Sequence, residues 1–123
     1  MQQFDHERMD VYRRALQFVR LAASIRHGLV PGHASLADQL DRAAVSIALN
    51  IAEGAGEFAR KEKARFYRIA RRSATESAAV LDVAQALELA DGRDVGVGKA
   101  LLLQIVGSLI GLSRRMEGEK AQR

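Results

Sequence analysis

Residues 46–57 read SIALNIAEGAGE, and this stretch decides how the chain is built. It continues an apolar stripe whose members recur at helical spacing: Leu36, Leu40, Ala43, Ile47 and Ile51. Asn50 and Glu53 are polar interruptions in this otherwise aliphatic helix. Gly54 and Gly56 are predicted to end the helix, because glycine accepts the left-handed backbone that is common just past a helix end.

The glycines of this stretch do not have the context of a phosphate-binding loop. Such loops follow a strand and precede a helix whose first amides hold the anion. Here the glycines follow a helix, no Gly-Lys-Ser/Thr comes after them, and Glu57 would repel phosphate. The stretch is therefore interpreted as a packed helix that carries polar groups.

The remaining periodicity is also helical, and it predicts an all-α protein. Four helices are expected over about 5–29, 35–54, 59–90 and 97–116, with Ser35 as the N-cap of the second. Because the connections are short, the sequence predicts an antiparallel up-down-up-down four-helix bundle, a single domain over residues 1–123.

Composition limits the class of protein. The chain has 123 residues, a hydrophobic fraction of 48% and no cysteine, which excludes disulfides and thiolate chemistry. The N-terminal residues lack the apolar segment of a signal peptide. The longest apolar run, Ala100–Leu112, is shorter than a membrane span requires. We expect a cytoplasmic protein that does not insert into a membrane.

The second and fourth predicted helices are apolar almost all round. A surface helix of a monomeric bundle needs an apolar stripe of only about 100°. A second copy of the chain is the natural cover for the remaining apolar surface, so homo-oligomerisation is predicted. Gly107, Ser108 and Gly111 would let two helix backbones approach closely. The alternative is that these helices lie deeper in a monomer.

Residues for catalysis are sparse. His6, His27 and His33 do not have the spacing of a zinc site or of a di-iron bundle. Glu53 and Glu76 are the carboxylates expected nearest the core, and pairing with arginine or backbone amides is the commoner fate of such groups. We expect no enzymatic activity, no cofactor and no metal.

The third predicted helix carries a row of cations, here called the basic row: Lys61, Arg65, Arg68 and Arg72. Their spacing places them on one helix face, and Arg60 and Arg71 flank them. With a net charge of +4, this row fits a nucleic-acid backbone, and Tyr67 would be placed to stack on a base. The alternative is a merely solvated helix face.

The second predicted helix carries polar residues on one arc. Together with two residues of the third helix they form the predicted polar seam: Gln39, Arg42, Ser46, Asn50, Glu53, Ser73 and Glu76. We expect hydrogen bonds along and between helices that fix the pairing of the bundle.

Two blocks of the sequence resemble the four-helix bundle protein family, whose members are often encoded in intervening sequences of bacterial 23S ribosomal RNA genes. The blocks are LADQLDRAAVSIALNIAEGAGE and RFYRIARRSATESAAVLDVAQALELA, and the MDVYRRA stretch resembles the N-terminal pattern of the family. Arg72 stands where many members have glycine.

The resemblance implies an antiparallel bundle that assembles into a ring, typically a pentamer. It also implies kinship with the accessory protein of diversity-generating retroelements, which binds a reverse transcriptase and nucleic acid. No enzymatic activity is established for the family. The sequence thus predicts a non-catalytic oligomer that binds RNA or DNA through the basic row. A protein-interaction scaffold ring with no nucleic-acid role is the alternative.

Overall fold

A computed structural model describes residues 2–29 and 31–118 of the predicted domain, and all regular structure within those ranges is helical. A short 3-10 helix at Asp5–Arg8 precedes four α-helices: α1 (Asp10–His27), α2 (Ala34–Gly56), α3 (Arg60–Ala86) and α4 (Gly92–Glu117). The predicted all-α class is confirmed.

The four helices form a bundle in which each packs on the next and α4 packs back on α1. Neighbouring helices run in opposite directions, as two contacts between α2 and α3 show. Ser46 of α2 faces Ser73 of α3, whereas the carbonyl of Ala55, later in α2, faces Lys63, earlier in α3. This antiparallel arrangement follows from the short connections, and it confirms the predicted bundle.

One apolar core runs along the bundle, and every α-helix contributes to it. Its largest fully buried side chains include Phe18, Leu40, Ile47, Ile51, Leu81, Leu102, Ile105 and Leu109. The predicted stripe of α2 faces this core, with Leu36 at its edge. Burial of these side chains is the main stabilisation of such a bundle, at about 25 cal/mol per Å² of apolar surface.

The ends of three helices differ from the predicted bounds. The first predicted helix, 5–29, is interrupted at Met9, whose backbone is extended, and α1 ends at His27. The third, 59–90, ends at Ala86, because the chain turns at Glu88, which has a left-handed φ of 58°. The fourth begins at Gly92 rather than 97, since the Asp91 carboxylate caps it by accepting from the Arg93 amide at 2.9 Å.

The ends of α2 were also predicted wrongly. His33, not Ser35, is the N-cap, and α2 continues through Gly54 to Gly56. Gly54 is needed for packing: a Cβ at this position would lie 2.7 Å from Cε1 of Tyr67. The absence of a side chain thus lets α3 approach α2 closely at this point.

Candidate nucleic-acid interface

The basic row lies on the outward face of the N-terminal half of α3. Lys61, Arg65 and Arg72 are exposed, and Arg68 is half-buried. The opposite face of the same turns is buried in the bundle and consists of Ala64, Tyr67, Ala70 and Ala74. Because the small and aromatic residues fix which side of α3 faces the core, the cations are held towards solvent.

Two cations of the basic row are paired with carboxylates. Arg65 Nε lies 3.0 Å from a Glu62 carboxylate oxygen, and its guanidinium carbon lies 4.5 Å from the centroid of the Phe66 ring. Arg68 forms an ion pair with Glu117 at the end of α4. All four side chains of these two ion pairs are between 40% and 50% exposed, so water screens both pairs.

The two predicted flanking cations are placed differently from the basic row. Arg60 reaches the C-terminal end of α4, where its guanidinium donates to the backbone carbonyls of Arg115 and Met116. It therefore satisfies carbonyls that the helix end leaves open. Arg71 is half-buried. Tyr67, predicted as a stacking residue, is buried against Gly54, so its ring is not accessible to a base.

The polar seam is centred on one hydrogen bond between α2 and α3. The hydroxyl oxygens of Ser46 and Ser73 are 2.8 Å apart. The Asn50 side-chain amide donates to the Ser46 carbonyl at 2.9 Å and to the Ser46 hydroxyl at 3.0 Å. Ser77, fully buried one turn after Ser73, donates to the Ser73 carbonyl at 2.9 Å. The structure brings these four residues together.

The other predicted members of the polar seam lie at the surface. Gln39, Arg42, Glu53 and Glu76 are all exposed. Arg42 lines a shallow groove on α2, to which Ser46 and Asn50 also contribute. Glu76 and Arg72 line a second shallow groove on α3 beside Ser73. The cross-helix bond therefore lies between two grooves whose outer walls are charged.

Comparison with known proteins assigns this arrangement to a family. Residues 7–111 match the 23S rRNA-intervening sequence protein family. The chain belongs to this family. A crystal structure of a protein of unknown function from the S23 ribosomal protein family of Bacteroides thetaiotaomicron VPI-5482 has the same fold, with a TM-score of 0.78 and 21% identity. The match covers 85% of this chain and 98% of that one. No curated protein sequence matches the chain.

In this family member, Lys63 of α3 caps the C-terminal end of α2, a role that the sequence pattern did not predict. Lys63 Nζ lies 2.9 Å from the carbonyl oxygen of Ala55 and 3.3 Å from that of Gly54. A cation at a helix C-terminus is stabilised by open carbonyls and by the helix dipole. A lysine one turn into a helix that follows a short connection is the sequence pattern that could have predicted this cap.

A second missed residue is Phe58, in the connection between α2 and α3. Its side chain is 99% exposed. The helical periodicity does not predict this exposure, because a phenylalanine between two helices is usually assigned to the core.

Two further chemical properties of this family member concern metals and membranes. Among residues 2–29 and 31–118, no group of three or more His, Asp or Glu side chains is arranged to hold a metal ion. By length and composition alone, α4 is apolar enough to cross a membrane. An 18-residue window within it has a mean hydropathy of 1.8, and 28% of that window is buried in the bundle. A single helix of this kind is weak support for a membrane span.

Proposed function

We propose that this member of the 23S rRNA-intervening sequence protein family is a cytoplasmic, non-catalytic protein that binds RNA or DNA through the basic row on α3. The observation that carries the proposal is the outward direction of Lys61, Arg65, Arg68 and Arg72 on a rigid helix. Along the helix axis these residues cover about 16 Å, at 1.5 Å per residue. A row of this kind presents several cations to successive phosphates of one strand.

The carboxylates beside the basic row do not prevent phosphate binding. Exposed ion pairs contribute about 0–1 kcal/mol, so phosphate oxygens can replace Glu62 at Arg65 and Glu117 at Arg68 at low cost. The planar guanidinium fork suits phosphate oxygens better than an ammonium group does. Lys61 and Arg72, at the two ends of the row, are exposed.

We further propose that the chain forms a homo-oligomeric ring, with a pentamer favoured by the resemblance. Exposed aliphatic side chains on two helices support self-association: Val45 and Leu49 on α2, and Val97 and Leu103 on α4. A ring would repeat the basic row around its circumference, and this multiplicity raises avidity without new contacts.

A protein-interaction scaffold is the second candidate function. The observation that favours it is the pairing of Arg65 and Arg68 with carboxylates, which is typical of a solvated helix face. In this case the partner is a protein, and a reverse transcriptase is the partner that the family resemblance suggests. Purification from the native host separates the two functions: nuclease-sensitive material supports nucleic-acid binding, and a stoichiometric protein supports the scaffold.

The direct test measures binding of labelled RNA and DNA across a salt series. Each phosphate contact to a single strand contributes about −0.7 to the slope of log K against log salt, so four contacts predict a slope of about −3. The Lys61→Gln/Arg72→Gln variant should bind more weakly with a smaller slope. Arg20→Gln/Arg93→Gln, which removes two exposed cations from α1 and α4, is the matched control. No binding at low salt, or equal effects of the two variants, would contradict the proposal.

A further inference from the structure

Phe58 is an aromatic side chain that the protomer does not use for packing. It lies in the three-residue connection 57–59, and its ring is 99% exposed, whereas Phe18 in the core is fully buried. An exposed ring gains nothing from the hydrophobic effect in the isolated protomer. Its full surface is available to a partner.

Phe58 lies close in sequence to Lys61, the first cation of the basic row. Helix α3 begins at Arg60, and Lys61 is exposed in its first turn. Phe58 therefore lies at the N-terminal end of the row, followed in sequence by exposed or half-exposed cations at Lys61, Arg65 and Arg68. An aromatic ring beside a track of cations is the arrangement by which proteins hold single strands: the cations follow the backbone, and the ring stacks on a base.

We propose that the basic row binds single-stranded rather than double-stranded nucleic acid, and that Phe58 selects the single strand by stacking on an unpaired base. This inference rests on the proposed nucleic-acid binding. In a duplex the faces of the bases are covered by their neighbours, so Phe58 cannot reach them and only the cations make contact. In a single strand the bases can turn outward and present a face to the ring.

Binding of a non-self-complementary 20-nucleotide RNA, alone and annealed to its complement, tests this inference. The full-length protein and the variants Phe58→Ala, Phe58→Leu and Phe58→Trp are compared at one low salt concentration and across a salt series. Because the chain has no tryptophan, Phe58→Trp adds a unique fluorophore that also stacks. Phe58→Leu keeps an apolar side chain and removes the ring. Circular dichroism checks that each variant is folded.

Stacking predicts a specific pattern. Wild type and Phe58→Trp bind the single strand at least about fivefold more tightly than the duplex, and Phe58→Ala and Phe58→Leu lose that preference. The salt slope of the variants stays that of wild type, because no phosphate contact is removed. The fluorescence of Phe58→Trp is quenched by the single strand and not by the duplex.

Other outcomes overturn the inference in distinguishable ways. If wild type binds neither RNA form, the inference fails, and if it also binds no DNA in the salt series, the proposed function fails as well. If wild type binds both forms and Phe58→Ala binds as wild type does, nucleic-acid binding stands and selection by stacking is wrong. If Phe58→Leu behaves as wild type does, the contact is apolar and needs no ring, which also contradicts stacking.

Discussion

The hydroxyl oxygen of Ser46 lies 2.8 Å from that of Ser73 and joins the middle of α2 to the middle of α3. Two further residues of α2 extend this contact at one-turn intervals. Asn50 donates to Ser46 from within the same helix, and Gly54 accommodates the ring of Tyr67. The spacing Ser-x-x-x-Asn-x-x-x-Gly therefore places three features on the face of α2 that meets α3. These are the hydroxyl hydrogen bond of Ser46, the Asn50 amide that donates to it, and the close approach of the Tyr67 ring to Gly54.

Replacement of Ser46 by alanine should lower the free energy of unfolding by about 1 kcal/mol, because Ser73 and Asn50 each lose a partner. Urea unfolding measures this change. In a double-mutant cycle, Ser46→Ala and Ser73→Ala should show a coupling energy of about 0.5–1.5 kcal/mol. Ser24→Ala, at an exposed position of α1, is the control and should be nearly neutral. Additive effects of the two substitutions would show that the hydroxyl pair does not act as a unit.

Gly54→Ala should destabilise the protein although alanine is the better helix former. The added Cβ would lie 2.7 Å and 2.9 Å from Tyr67 ring carbons and 3.2 Å from Cβ of Phe66. Overpacking of this kind costs about 1–3 kcal/mol, more than the gain of about 1 kcal/mol from helix propensity. Gly56→Ala is the matched control, because a Cβ there meets nothing within 4 Å. An unfolding temperature of Gly54→Ala equal to or higher than that of wild type would refute this account of the glycine.

Lys63→Met should lower stability, whereas Lys61→Met should leave it nearly unchanged. The ammonium group of Lys63 binds the carbonyls of Gly54 and Ala55, and loss of these bonds at a helix C-terminus costs about 1 kcal/mol. Lys61 is exposed, so its replacement should change stability by less than about 0.5 kcal/mol. Urea unfolding of both variants checks the contrast. Equal losses would mean that Lys63 does not act as a cap.

Stability should fall above about pH 10 because of Tyr67. Burial raises the pKa of its hydroxyl above the ordinary value of 10.0; Arg115 partly lowers this pKa and Asp5 adds to the rise. The unfolded chain therefore loses this proton at a lower pH than the folded chain does. Since the folded state then binds more protons, the free energy of unfolding decreases as pH rises past 10.0.

Urea unfolding at pH 8 and at about pH 10.5 tests this dependence in wild type, Tyr67→Phe and Tyr12→Phe. Tyr67→Phe should show a smaller loss of stability than wild type between the two pH values, and Tyr12→Phe, which removes the other tyrosine hydroxyl, is the control. If all three proteins lose the same amount of stability, the buried Tyr67 hydroxyl does not cause the loss of stability at alkaline pH.

The sequence predicted the helical class, the bundle and the outward basic row, because apolar periodicity directly reports which side of a helix is buried. It failed where an isolated residue acts through its three-dimensional neighbours. The usual backbone preference of glycine predicts a helix end at Gly54, whereas the structure requires its small size beside Tyr67. The prediction of Tyr67 as a surface stacking residue is wrong, because its spacing with Ala64, Ala70 and Ala74 is that of the buried face. Phe58 lies outside any periodic segment, so its exposure could not be predicted from the sequence.

Self-association should depend on the outward face of α4. Leu103 is 73% exposed there, and a Cβ built on Gly96, Gly107 or Gly111 would meet nothing within 4 Å, so the protomer has no packing need for these three glycines. Each costs about 1 kcal/mol of helix propensity relative to alanine, which a close approach by a second copy would offset. We therefore expect a wild-type mass in solution that is a multiple of 13.5 kDa.

Leu103→Asp should reduce that mass to the protomer without loss of helicity, because the side chain is exposed and the added charge would be buried only at an interface. Leu87→Asp, which adds the same charge at a 53% exposed leucine at the end of α3, is the control. Light scattering after size-exclusion chromatography gives the masses, and circular dichroism gives the helicity. A monomeric wild type, or a Leu103→Asp variant with the wild-type mass, would show that this face of α4 is not the interface, and the basic row would then act once per molecule.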